Sequence, residues 1–246
     1  MLTYVGIVGF LLAETQNLPM SSTMNQSMNR SQIEMLVRSS LSRHMGSGVQ
    51  LKQEVGPNPL IVNSSARHCH LSQEAIEVLF GKGHQLTPKK WLYQEGQYAA
   101  EESVTLIGPR SRVISNLRIL GPCRDFNQVE LAYTDAISLG FKIPVRNSGD
   151  IAGTPGGMLM GPAGYLKMEE GIIRAAPHVH MAPEDAAFYG VENKSYMKLK
   201  IDGDLGMTFD KIFVRVDPSF KLEVHFDTDE ANACGFGPDT ACELIK

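Results

Sequence analysis

A nine-residue pattern occurs twice in this chain, and any fold has to accommodate both copies. ARHCHLSQE runs from Ala66 to Glu74, and APHVHMAPE runs from Ala176 to Glu184, an offset of 110 residues. Each copy follows a strand-like run (LIVNSS, GIIRAA) and precedes a short helical pattern. A second pair lies downstream, QVELAYTDA around Glu130 and LEVHFDTDEA around His225, so Glu130 and His225 occupy equivalent places. Self-similarity at a fixed period signals a repeated supersecondary unit. The chain is therefore expected to contain two copies of one pattern.

The surrounding sequence says what kind of unit it is. From Leu60 onward, short alternating or apolar runs such as SVTLIG, SNLRILGP, YMKLKIDG, KIFVRVDP and KLEVHFD are separated by Gly and Pro. These predict strands of about five to seven residues in a closed or nearly closed β architecture. Only two stretches of this body look helical, Ser72–Gly81 and Pro183–Gly190, each directly after a His-x-His. The glycine-rich run SGDIAGTPGGMLMGPAG lacks the lysine-ending signature of a phosphate loop and reads as the connector between the copies.

Histidines two apart on a strand share a face, about 7 Å apart, and can converge on one ion when a neighbouring strand brings a third ligand. Two such sets follow: His68, His70 and Glu130, and His178, His180 and His225. Imidazole and carboxylate suit zinc, and three protein ligands leave a position open for substrate, as in catalytic sites. Cys69, between two candidate ligands, should point to the opposite face and into packing. Arg124 precedes Glu130 by six residues, so one turn can deliver both a guanidinium and a ligand; arginine suits phosphate or a developing oxyanion. Arg110 and Arg118 are further candidates for anion contacts.

Composition narrows the partners. With 23 Lys+Arg against 27 Asp+Glu the net charge is −4, without a basic block, which argues against nucleic acid. Four cysteines without a CxxC pair fit a reducing, cytoplasmic setting. The apolar run Val5–Ala13 is too short to span a bilayer, and no Lys or Arg precedes Arg30, so neither a membrane span nor secretion is expected. Translation starting at Met20, Met24 or Met28 would remove that run. A polar stretch over residues 14–30 leads to a capping-box start at Ser31 and Glu34, and Ile33, Leu36, Val37, Leu41 and Met45 then fall on one helical face. An amphipathic helix over 31–45, ended by Gly46 and followed by a Gly/Pro connector, would form a separate arm, either packing on the body or docking into a partner.

The motifs SSARHCHLS, LFGKGHQLT, GPCRDFNQVELAYTDA, PVRNSGDIAGTPG, HVHM and HFDTDEANA, in this order from about Pro59 to Ala233, resemble the PduL-type phosphate acyltransferases, or phosphotransacylases, of bacterial microcompartments. The resemblance implies a mainly β fold of two small β-barrels with short capping helices, related by internal duplication with strand exchange. Residues 59–67 with 175–246 would form one barrel and 68–174 the other, behind an arm over 1–58. It implies two zinc ions, one held by His68, His70 and Glu130 and one by His178, His180 and His225. Arg124 resembles the phosphate-binding arginine, and Ser64, Ser65, Ala66, Arg110, Arg118 and Asn232 resemble the coenzyme A contacts. Pro177 departs from the pattern, which more often has Arg there.

The implied reaction is transfer of a short acyl group, propanoyl before acetyl, between coenzyme A and inorganic phosphate. The implied setting is a microcompartment lumen, with the arm helix engaging shell proteins or other cargo and a homodimer compatible with the rest. A dinuclear zinc hydrolase and a non-catalytic zinc-stabilised scaffold module are the competing expectations. Structural zinc usually has four protein ligands, which weighs against the scaffold.

Overall fold

Residues 57–203 and 205–246 are described by the computed structural model, so the expected arm with its helix over 31–45 lies outside the described residues. Along the chain the strands are β1 (Ile61–Ser65), β2 (His68–His70), β3 (Pro88–Trp91), β4 (Tyr98–Ile107), β5 (Val113–Gly121), β6 (Gln128–Glu130), β7 (Val145–Arg146), β8 (Gly157–Met160), β9 (Tyr165–Met168), β10 (Ile172–Ala175), β11 (His178–Met181), β12 (Tyr196–Ile201), β13 (Met207–Val216), β14 (Glu223–Asp227) and β15 (Cys242–Ile245). They form two curled half-barrel sheets. One runs β7-β10-β6-β2-β5-β4-β8-β9, with β3 added on β4, and the other runs β1-β14-β11-β13-β12-β15.

Two strands leave their chain neighbours. β1 precedes β2 but pairs in parallel with β14 in the other sheet, and β10 precedes β11 but pairs in parallel with β6. Over six strands the two sheets repeat one order and one set of directions: β10-β6-β2-β5-β4-β8 runs like β1-β14-β11-β13-β12-β15. Each sheet has its own apolar core, for the reason visible in β12: Met197, Leu199 and Ile201 are buried while Tyr196, Lys198 and Lys200 are exposed. The expected runs SVTLIG, SNLRILGP, GIIRAA, KIFVRVDP and KLEVHFD all lie on strands.

Helices number four among the described residues, not two: α1 (Gln73–Phe80), α2 (Tyr133–Leu139), α3 (Pro183–Tyr189) and α4 (Thr228–Cys234). The two unexpected ones follow β6 and β14, just as α1 and α3 follow β2 and β11. At seven residues each, α2 and α4 are too short for a helical period to show. The signal that does exist for α4 is its cap. Asp227 accepts from the Glu230 backbone N–H at 2.8 Å and the Glu230 carboxylate accepts from the Asp227 N–H at 2.8 Å, a reciprocal box worth about 1 kcal/mol. Gly235, at φ +65°, then ends the helix in the left-handed region.

The glycine-rich run is also more than a connector. Gly157–Met160 is β8, paired with β4 and β9. A Cβ on Gly156 would lie 2.0 Å from the Met168 carbonyl oxygen, and one on Gly161 would lie 2.3 Å from the Leu79 carbonyl oxygen. These glycines let backbones touch.

Between the sheets, Arg174 of β10 reaches α4. Its Nε donates to Asp227 Oδ2 and its Nη2 to Glu230 Oε1, both at 2.6 Å, with the Tyr133 ring 4.8 Å from the guanidinium carbon. All three charged side chains are nearly buried, so removing one partner would strand the others' charge at a cost of about 3–5 kcal/mol.

Gly161→Ala is expected to destabilise by about 1–3 kcal/mol, because the Leu79 carbonyl is backbone and cannot turn away. Thermal unfolding of the purified variant should show a Tm about 2–12 °C lower; an unchanged Tm would refute the close-packing account.

Candidate active site

The strand register assembles the site. On β2 and β6, His68 stands opposite Glu130 and His70 opposite Gln128. On β11 and β14, His178 stands opposite His225 and His180 opposite Glu223. The intervening Cys69 and Val179 are fully buried in the two apolar cores, which turns the histidines to the opposite face. Because β1 and β10 each cross to the other sheet, the links Ala66–Arg67 and Ala176–Pro177 run between the sheets and bring the two His-x-His strands to one place. Both sets line a cavity of about 510 Å³.

Each leading histidine is oriented by its own link. His68 Nδ1 lies 2.8 Å from the Ala66 carbonyl oxygen and His178 Nδ1 lies 2.9 Å from that of Ala176. A carbonyl only accepts, so each Nδ1 carries the hydrogen and each Nε2 keeps a free lone pair. The potential donor atoms of His68, His70 and Glu130 all lie within 4.8 Å of one another. In the other half the same criterion joins His180 and His225 with Glu223. The ring of His178 stacks on that of His225 with centroids 5.1 Å apart and lies 5.0 Å from that of His180.

Two atoms here lack hydrogen-bond partners although buried: Nδ1 of His180 and Nε2 of His225. His225 Nε2 lies 3.2 Å from Glu223 Oε2, an ion-pair distance without hydrogen-bond alignment. Buried polar atoms are nearly always satisfied, and imidazole nitrogens left bare beside a carboxylate are what a divalent cation would satisfy. The donor set therefore fits a metal ion.

The rest of the cavity wall is cationic and amide-rich. Arg124 donates from Nη1 to Ser148 Oγ at 3.3 Å and lies 5.7 Å from the Phe126 ring centroid. Gln128, fully buried, donates from Nε2 to Glu130 Oε1 at 2.7 Å and to Ser148 Oγ at 2.8 Å, and its Oε1 accepts from the Gly149 N–H. Arg215 of β13 approaches His180 Nε2 at 3.4 Å and lies over Phe220 at 5.6 Å. Ser64, Ser65, Ala66 and Arg118 also line the cavity. Arg118 is held by the Ala100 and Glu101 carbonyls, each at 2.8 Å.

Two of the expected contacts lie elsewhere. Arg110 donates to the Ile137 carbonyl at 3.0 Å and packs over Gly140, and Asn232 is exposed on α4; neither lines the cavity. Conversely, Glu223, Gln94, Arg215, Gln128 and Ser148 are site residues that motif reasoning missed. For Glu223 and Gln128 a signal was present: each lies two residues before a named ligand and so shares its face.

Burial governs protonation. Burial, reinforced by the neighbouring His68 ring and the Arg124 guanidinium, holds His70 down at about 3, and burial beside His225 lowers His178. His180 is lowered for the same reasons. These rings are neutral near pH 7 and available as ligands. Burial alone would raise Glu130, but the neighbouring His68, His70 and His178 and the Ser148 hydroxyl outweigh it and keep the carboxyl ionised. Burial lowers both Arg124 and Arg215 without bringing either near neutrality. Cys69 is pushed up by burial and stays a thiol.

A family model described as phosphate propanoyltransferase matches residues 61–237. The chain belongs to the phosphate propanoyltransferase family. A phosphate propanoyltransferase of Planctopirus limnophila is 51% identical over 224 residues, 89% of this chain and 92% of that protein. One from Thermotoga maritima is 51% identical over 184 residues, 74% and 86% of the two chains, and one from Leptotrichia buccalis is 43% identical over 209, 85% and 95%. The chain is accordingly an acyltransferase, and the cavity with its histidine clusters is the candidate site for that chemistry. Among the described residues, no helix is long and apolar enough to cross a membrane.

The metal-free protein should lose stability as pH falls from about 6.5. Below that value unfolded histidines bind protons that buried His70 and His178 refuse until far lower pH, so each contributes a loss of about 1.4 kcal/mol per pH unit. Denaturant titrations between pH 7 and 5 would measure it, and the slope should flatten in His70→Gln.

Proposed function

We propose that this acyltransferase moves a short acyl group, propanoyl first, reversibly between coenzyme A and inorganic phosphate, using two zinc ions. The observation that carries this is one cavity of about 510 Å³ where two histidine clusters meet two half-buried guanidiniums. The names of the relatives, phosphate propanoyltransferase, support the substrates.

His68, His70 and Glu130 would hold one ion and His178, His180 and His225 the other. When bound, the ions supply Lewis acidity toward thioester and phosphate oxygens and toward the departing thiolate. The chain's own groups do the rest. Arg124, braced by Ser148, binds phosphate through paired N–H donors and sets one oxygen in line with the thioester carbonyl carbon. Arg215 faces the same space and adds a second guanidinium. The phosphate oxygen forms a bond to that carbon, the carbonyl oxygen takes up negative charge, and collapse breaks the C–S bond and releases coenzyme A as thiolate. Guanidinium charge in a buried site stabilises the oxyanion. No side-chain nucleophile is needed: Cys69 faces the core as a thiol.

Coenzyme A would enter along Ser64, Ser65, Ala66 and Arg118, with Arg110 and Asn232 reaching only its outer part. The common order of strand pairing supports reading residues 59–67 with 175–246, and residues 68–174, as two duplicated barrels that exchange strands. The amphipathic pattern over 31–45 supports a role in packaging into a microcompartment lumen through shell proteins or cargo, and a homodimer is compatible with it.

Thiol release from propanoyl-CoA, with acyl phosphate quantified in parallel, is expected only with inorganic phosphate and in equal amounts. Release without phosphate would instead indicate a hydrolase. Arg124→Ala should lower kcat/KM by about 10²–10³-fold, whereas Cys69→Ala should retain turnover. Deleting residues 1–58 should leave turnover intact and abolish co-purification with shell proteins; lost turnover would contradict the packaging role.

A further inference from the structure

The two half-sites share one strand register and differ in what occupies it. His70 stands opposite Gln128 and His68 opposite Glu130, while His180 stands opposite Glu223 and His178 opposite His225. Since residues two apart share a face, each third strand offers two side chains to its histidine pair. One strand offers amide and carboxylate, the other carboxylate and imidazole. Each half-site thus has a single carboxylate, but at opposite places. In the first half the amide of Gln128 braces the carboxylate of Glu130 at 2.7 Å. In the second, three imidazoles alone would leave a divalent cation's charge uncompensated in a buried wall, which is costly.

Glu223 is only 2% exposed, and its known partners among the described residues include no lysine or arginine. Oε1 accepts from Asn63 Nδ2, and Oε2 accepts from Gln94 Nε2 at 2.6 Å. Oε2 also lies 3.2 Å from His225 Nε2, one of the two unpartnered buried nitrogens, and the donor atoms of His180, Glu223 and His225 fall within 4.8 Å of one another. Buried carboxylates are paired with a cation or bind a metal, and amides alone do not neutralise one. Gln94 arrives from the loop between β3 and β4 of the other sheet and is fastened there by the Lys221 backbone, donating to its carbonyl at 2.9 Å and accepting from its N–H at 3.1 Å.

We propose that Glu223 is the carboxylate of the second metal cluster, standing beside His180 and His225 and held in place by Asn63 and by Gln94 from the opposite sheet. It gives that half the negative charge that Glu130 gives the first, and it makes the second half dependent on the first sheet for its assembly. This rests on the two-ion reading above.

The test is zinc content per chain by elemental mass spectrometry after equilibration with a graded chelator, for the full chain, Glu223→Gln and Gln94→Ala. The unaltered chain should retain two ions. Glu223→Gln, isosteric but uncharged, should release one ion at about 10–100-fold lower chelator strength while the other stays. Gln94→Ala should shift the same ion in the same direction by less. Far-UV circular dichroism reports folding; if Glu223→Gln lost its β signal, Gln94→Ala would decide. Two ions held with unchanged affinity in folded variants would overturn the proposal and leave the two-ion reading standing. An unaltered chain that retains no zinc would overturn both.

Discussion

Everything at the candidate site depends on two parallel pairings that join strands remote in sequence, β1 with β14 and β10 with β6. A strand that leaves its neighbour and enters the opposite sheet drags the following residues across the gap between the sheets. Those residues are Ala66–Arg67 and Ala176–Pro177, so each His-x-His begins where the crossing ends. Had β1 stayed beside β2, the two histidine pairs, which sit on separate sheets, would have no reason to meet. The buried ion pairs of Arg174 with Asp227 and Glu230 act in the same place, tying a crossing strand to the helix cap of the sheet it leaves behind. Such pairs add little net stability, but they penalise any arrangement that separates their partners.

The crossing also explains why the half-sites can differ while the fold repeats. Register fixes which positions face the cavity, not what fills them. At the paired positions the chain places Gln128 and Glu130 on one side and Glu223 and His225 on the other. At the next strand Leu120 lines the cavity on one side and Arg215 on the other. Two sheets with one strand order thereby present two unlike walls, as a reaction joining two unlike substrates requires.

The strands, their alternation and the convergence of the five motif histidines and Glu130 on one cavity were legible in the sequence, because each rests on a period of two or on a repeated spacing. The short helices α2 and α4 were not, since seven residues give fewer than two turns of pattern. Their caps were the only signal, and Asp227 with Glu230 was readable as one. The glycine-rich run was misjudged for a related reason: glycine marks flexibility and close packing alike, and only the contacts of Gly156 and Gly161 tell them apart. Gln94 and Arg215 were illegible in a stricter sense. Each comes from a segment distant from every histidine motif, and its place is set by three-dimensional pairing alone. Glu223 lies between these cases, two residues from His225 yet masked by the expectation that three ligands complete a site.

The cavity's electrostatics favour its use by anions. Arg124 and Arg215 are both drawn toward deprotonation by burial, and Arg124 further by the charge of Arg215, yet neither has an acidic partner in hydrogen-bond contact among the described residues. Two guanidiniums in a partly desolvated space repel each other, and Glu130, shared with His68 and Gln128, offsets that repulsion only at a distance. An anion carrying two charges relieves it directly, and a transition state that spreads charge onto an acyl oxygen beside the phosphate relieves it further. Repulsion between the two guanidiniums is then relieved where charge develops, which is how preorganised dipoles and charges lower a barrier without moving. It also separates this arrangement from water activation: a neutral water gains little from paired guanidiniums, whereas phosphate gains in binding and in attack.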